Sequence, residues 1–184
     1  MAINDEPGEE ERIRLTAARY SEYFPGLESQ SIEAYLSLIH TQRVHALSIE
    51  RYLSSMGQPK PMSAPRHTIL RALFFSEGHR LSQNELSREV GVSPTNITNL
   101  IDGLERDGFV VRNSVPGDRR AKYIQLTEAG LDVCSSFIPA VAEFMASIFK
   151  DLSPTQRDEL NRVLALVRAG MRSRYLDQAE RSGL

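Results

Sequence analysis

Cysteine is almost absent from this chain. One residue, Cys134, excludes a disulfide within the chain and is expected to be an inert, partly buried thiol. Long apolar runs are missing too. No uninterrupted stretch approaches the roughly 18 residues of a spanning helix, so no transmembrane segment and no membrane partner are expected. The first residues are acidic and lack an apolar core, which argues against a secretory signal and for a cytoplasmic protein. Catalytic signatures are lacking as well: there is no Gly-x-Ser-x-Gly and no Walker-type phosphate loop. Of the four histidines, His40 and His45 are five apart, about 140° around a helix at ~100° per residue, so they do not share a face for a metal. No enzyme activity, metal or cofactor is expected. A large charge of one sign is also missing, since the net charge is −2, unlike that of most nucleic-acid binders.

The distribution of charge alters that last exclusion. Asp5, Glu6, Glu9, Glu10 and Glu11 crowd the first eleven residues, which hold no Lys or Arg. The remainder therefore carries a mild basic excess, and any affinity for nucleic acid must come from locally placed side chains. At 184 residues and 41% hydrophobic, the chain suffices for one domain or two small ones with a real core.

Leu81 to Leu126 is the most informative stretch. Ser82-Gln83-Asn84-Glu85 has capping-box spacing and starts a helix that Gly91 stops. Ser93-Pro94 starts a second, with Ser at the N-cap and Pro at N1, and Gly108 stops it. Phe109-Val110-Val111 then reads as a strand, Val115 to Arg120 as a turn, and Tyr123-Ile124-Gln125-Leu126 as the return strand. Two short helices joined by a Gly-bearing turn are the helix-turn-helix pattern, and a basic hairpin behind them makes a wing. In the second helix Ile97, Leu100, Ile101 and Leu104 must face a core. Thr95, Asn96, Thr98 and Asn99 then project outward near the end where a recognition helix meets base edges. Asn can pair with adenine, and a Thr methyl can pack on thymine. Arg112, Arg119, Arg120 and Lys122 cluster on the wing, with Ser93, Arg112 and Lys122 as candidates for phosphate contacts. The expected partner is double-stranded DNA.

At this point the chain resembles the MarR family of bacterial transcription regulators. The residues that carry the resemblance run from Val92 to Val110, through Gly117-Asp118-Arg119-Arg120, and from Ile124 to Gly130. The resemblance covers roughly 27–175 and leaves the first two dozen residues outside. It implies a mostly α fold: a winged helix-turn-helix lobe with a two-stranded β wing, and a helical dimerisation domain built from both chain ends. It also implies a homodimer on a pseudo-palindromic operator, acting as a repressor. In the family's Asp-x-Arg motif, matched by Asp118 and Arg120, the Arg enters the minor groove and the Asp orients it or a neighbour. Many members carry Arg where this chain has Asn99, which tilts readout toward A·T pairs. The family's cleft often admits small aromatic or phenolic acids, and Tyr35, His40, Arg43 and His67 are candidate lining residues here. A constitutive architectural DNA-binding protein without an effector is the alternative.

The rest of the chain fits this division. Residues 1–11 read as a solvated acidic tail, and Ile13, Ala17, Tyr20 and Phe24 as the stripe of a short helix from Arg12, together an extension over 1–26. A helix from Gln30 to about Met56 would be about 40 Å long, with an apolar band wide enough for burial on two sides. Gly57 to Pro61 breaks the chain; Ser63 caps a helix ending at Gly78, and Arg80-Leu81 is a short strand joining the wing. Thr127 caps a helix to about Lys150, which Pro139 should kink or split. Ser153-Pro154-Thr155-Gln156 is a second capping box before a helix carrying Leu160, Val163, Leu164, Val167 and Met171. Residues 27–62 and 127–184 are assigned to dimerisation and 63–126 to DNA reading.

Overall fold

The structure is a computed structural model that describes residues 8–57, 60, 62–115 and 118–176, with backbone alone at 94, 115, 118–121, 175 and 176. Helix α1 spans Glu9–Tyr23 and α2 spans Ser29–Ser55. Then come α3 (Ala64–Phe75), β1 (Arg80–Ser82), α4 (Gln83–Val90), α5 (Pro94–Arg106), β2 (Val110–Val115) and β3 (Asp118–Leu126). Helices α6 (Glu128–Ser147) and α7 (Pro154–Met171) follow, with a π-helical turn at Arg172–Leu176. The fold is mostly α with one small sheet, and it divides into two compact units, 1–132 and 133–184.

Local chemistry explains most boundaries. Ser82 and Glu85 close a reciprocal capping box at α4, and the Ser82 hydrogen bonds hold the Glu85 carboxyl below its usual range. Gly91 ends α4 at φ 72°, a left-handed turn that costs glycine little. Ser93 caps α5, and Ser153 with Gln156 boxes α7. At α3 the expected cap differs. The Ser63 hydroxyl makes no capping bond, and Glu50 of α2 accepts the Ala64 N–H at 3.2 Å instead. A carboxylate at a helix start also suits the helix dipole. The same preference moves the start of α1. Glu9, Glu10 and Glu11 form its first turn rather than a loose tail; 1–7, the rest of the acidic segment, lie outside the described residues.

The sheet has the order β1-β3-β2, all antiparallel. The short strand expected at Arg80-Leu81 is present and pairs with β3, Leu81 opposite Ile124, so the two-stranded wing gains a third strand at its base. The hairpin is longer than expected, because pairing continues to Val115 opposite Asp118. Asp118, Arg119 and Arg120 are thus strand residues by backbone, and the register shifts between Ser114 and Val115. Pro116-Gly117, and the side chains of Asp118, Arg119 and Arg120, lie outside the described residues.

The core of the first unit sits between α3, α4, α5 and the sheet. Ile69, Leu70, Leu73, Leu86, Ile97, Ile101, Leu104 and Ile124 are all fully buried. Each such side chain contributes about 1.5–3 kcal/mol by leaving water. Beneath the sheet, Thr127 bonds Gly108 O at 2.6 Å and accepts the Gly130 N–H at 3.0 Å. Gly130 comes so close to Phe109 that a Cβ there would lie 2.1 Å from its carbonyl oxygen.

In the second unit, Cys134, Phe137, Ile138 and Val141 are buried along one stripe of α6. Burial pushes the Cys134 thiol up to about 12, so it stays protonated and weakly reactive at neutral pH. Helix α6 continues through Pro139. It is also long and apolar enough, by length and composition, to cross a membrane. The expectation from uninterrupted runs missed this because Asp132, Ser135, Ser136 and Pro139 punctuate an otherwise apolar sequence. Of that apolar stretch 28% is buried within the chain.

Candidate nucleic-acid interface

Helix α5 has the two faces that its sequence implies. Ile97, Ile101 and Leu104 are fully buried, and Thr95, Asn96 and Asn99 are exposed near its start. The Ser93 side chain accepts the Asn96 N–H at 3.3 Å, which fixes where the helix begins. Leu100 is half-buried at the edge of the inner face.

Thr98 departs from expectation. It is half-buried, and its hydroxyl accepts a hydrogen bond from Gln83 Nε2 at 2.8 Å. Gln83 opens α4, so this bond ties the first helix of the motif to the second. Thr98 fixes their mutual angle rather than simply facing outward.

Arg112 also differs. Its guanidinium pairs with Glu105 and Asp102, both on α5, and its backbone N–H donates to Glu105 Oε1 at 3.2 Å. Asp102 and Glu105 are three apart and therefore share a helix face, opposite the first residues of β2. Two carboxylates on one guanidinium leave it poorly placed to meet a phosphate. They join the root of the wing to the recognition helix instead. Lys122 is exposed on β3.

The far end of α5 is anchored separately. Arg66 of α3 pairs with Asp107, and Lys60 approaches the same carboxylate at 3.8 Å. The Arg66 hydrogen bond holds the Asp107 carboxyl below its usual range. Arg71 of α3 pairs with Glu89 of α4 at 2.9 Å. On the wing, Asn113 bonds Gln125 at 2.7 Å, and the Arg80 guanidinium lies 5.3 Å from the Tyr123 ring centre. Sequence reasoning missed these ties. The i, i+3 acids of α5 were a visible signal, but their cation stands on another element.

The four residues expected to line an effector cleft do not converge. His67 is 6% exposed on the inner face of α3, about one turn before Leu70 and two before Leu73, and burial and then Arg71 lower its pKa to about 4. Tyr35 is exposed on α2. Only His40 and Arg43 share a groove, and its other wall is α1.

Comparison with known proteins agrees with this architecture. A model of the MarR family matches residues 60–121. The HTH-type transcriptional repressor YetL of Bacillus subtilis is 30% identical over 145 residues, 79% of this chain and 84% of that protein. AbsC, a MarR family transcriptional regulator from Streptomyces coelicolor, superposes with a TM-score of 0.72 at 24% identity, covering 82% of this chain and all of that one. Sco3205, a MarR family regulator from the same organism solved in complex with DNA, gives 0.70 at 23%, covering 79% and 89%.

Proposed function

The chain belongs to the MarR family, and from that premise we propose that it is a sequence-specific, DNA-binding repressor of transcription rather than an enzyme. It acts in the cytoplasm as a homodimer on a pseudo-palindromic operator and releases it in response to a small organic acid, of the aromatic or phenolic kind. Residues 63–126 read the DNA, and 27–62 with 127–184 form the dimer.

One observation carries this reading. The first turn and a half of α5 presents Thr95, Asn96 and Asn99 to solvent, while Ile97, Ile101 and Leu104 lock the opposite face into the core beside a basic hairpin. A rigid helix with a polar outward start is the geometry that direct readout in a major groove requires. The relatives support the partner, since YetL is named as a repressor and Sco3205 was solved with DNA. Ser93 and Lys122 fix the protein against phosphates, and Arg119 and Arg120 with Asp118 enter the narrow minor groove, where negative potential attracts guanidinium. The exposure of α7 supports the dimer, since none of its described residues is buried although Val163, Leu166, Val167 and Met171 are apolar. Two copies place two α5 helices about one DNA turn apart, ~34 Å.

The test is selection of binding sites from random DNA. A two-fold symmetric site is expected for the wild type. Arg120→Ala should weaken binding to that site strongly while leaving the melting temperature unchanged. Recovery of no preferred sequence would sink the regulator reading in favour of an architectural protein. Unchanged affinity of Arg120→Ala at moderate salt would remove the minor-groove role.

A further inference from the structure

We propose that the groove between α1 and α2 binds a small monocarboxylate with an apolar body, and that Glu9 occupies the carboxylate position until the ligand arrives. The inference rests on the ligand-responsive reading above and gives it a place and a chemistry. The groove is open to solvent and offers about 290 Å³, at the small end of ligand sites. Ile13, Leu36 and Ile39 supply apolar wall, and Ile39 is 48% exposed, a surface that a ligand would dry. Arg12, His40 and Arg43 stand at the rim.

The wiring of His40 points to an anion. Arg43 Nη2 lies 3.4 Å from His40 Nδ1. Guanidinium only donates, so Nδ1 accepts and the ring hydrogen sits on Nε2. That Nε2–H donates to the Glu9 carboxylate. Arg43 and His40 thus form a directed pair of donors whose end point is a carboxylate, and the chain itself demonstrates the fit.

Glu9 is suited to leave. It is the first residue of α1 and nearly half exposed, so its release requires only the first turn to fray. The helix stays anchored by Ala17, which is fully buried. A ligand carboxylate gains the same donors and covers the apolar wall that Glu9 cannot reach. This makes α1, which lies outside the reading lobe, the ligand-sensing element of the chain.

The test titrates the full-length protein with octanoate and 4-phenylbutyrate, using the matching primary amides as neutral controls. The acids should bind and the amides should not. Glu9→Gln replaces the charged competitor with a weaker, neutral acceptor and should tighten acid binding by up to roughly fivefold, the worth of an exposed charged contact. Arg43→Met should weaken it by roughly tenfold, as loss of a charge-assisted hydrogen bond does. Both variants lie on helix surfaces, and unchanged melting temperatures check their folding. Equal binding of acid and amide overturns the proposal. So does Glu9→Gln that binds no tighter, Arg43→Met that binds equally well, or absence of acid binding to both wild type and Glu9→Gln. Operator binding is measured alongside. Specific DNA binding without acid binding removes the site and leaves the regulator. Acid binding without specific DNA binding does the reverse.

Discussion

Two regions of this molecule treat the same kind of residue in opposite ways. In the winged-helix lobe, Ile69, Leu70, Leu73, Leu86, Ile97, Ile101, Leu104 and Ile124 are withdrawn completely from water. On α2 and α7, side chains of the same kind stand in it: Leu47 is 56% exposed and Leu166 65%. Composition does not separate the regions, since all these helices carry apolar stripes at helical spacing. The difference is whether the single chain supplies the opposing surface. The lobe closes over its own core, whereas in the proposed dimer the apolar faces of the long helices are covered by a second copy. On that reading, affinity for a two-fold site depends on residues that never approach DNA.

Substitutions can break this comparison from either side. Leu166→Asp should have the largest effect. A carboxylate there is harmless in an isolated chain but is buried unpaired in the dimer. Sedimentation should show monomer, and operator binding should vanish with the lobe still folded. A dimeric, DNA-competent Leu166→Asp would show that this face of α7 is not the interface.

The converse experiment is Leu104→Ala. It opens a cavity in a closed core and should cost about 2–5 kcal/mol in denaturant unfolding. Leu166→Ala, measured at dilution where only monomer is present, should stay within about 0.5 kcal/mol of wild type. Equal losses would erase the distinction between the regions.

Acid sharpens the comparison, because the lobe buries a neutral histidine. His67 titrates at 6.5 when unfolded and at about 4 when folded. Above pH 6.5 the group costs nothing. As pH falls toward 4, the unfolded state gains a proton that the native state refuses, and stability is lost. At about 1.36 kcal/mol per unit the loss approaches roughly 3 kcal/mol. Asp107 acts in the same direction at lower pH, since its depressed pKa gives stability that is lost as its folded form is protonated. His67→Gln should flatten the stability profile between pH 6.5 and 4. An unaltered profile would mean that another group dominates acid unfolding.

The smallest effect concerns readout alone. Asn99→Ala should cost about 1–3 kcal/mol of discrimination at one symmetric pair of operator positions. Stability and dimerisation should not change. A selected-site profile identical to wild type at every position would show that Asn99 does not read bases.

What could be read beforehand follows from range. Capping boxes at Ser82 and Ser153, the left-handed stop at Gly91 and the buried stripe of α5 are encoded within a few residues, and all were legible. The start of α1 was misplaced because charge was weighed as solvation, although glutamates also favour the first turn of a helix. The interface was legible as a pattern of faces but not as a network. Thr98 is engaged by Gln83, Arg112 by Asp102 and Glu105, and Asp107 by Arg66. Each pairing spans two elements and depends on a tertiary register that spacing does not carry. His67 shows the same limit: its helical position was legible, but not which face the lobe would bury.

The approach of Gly130 to Phe109 bears on how this sequence can drift. A side chain at 130 would have to enter space held by a backbone carbonyl, which cannot swing aside as a flexible side chain would. Gly8 and Gly170, with nothing within 4 Å of an added Cβ, face no such obstacle. In a population of functional variants, position 8 should therefore diversify freely, whereas 170 must also suit the partner face proposed for α7. Position 130 should stay monomorphic, excluding even alanine, although it is buried and offers no side chain for recognition. Invariance at that glycine would record the seam where the root of the wing meets the first turn of α6, and would be misread if it were taken as a mark of recognition.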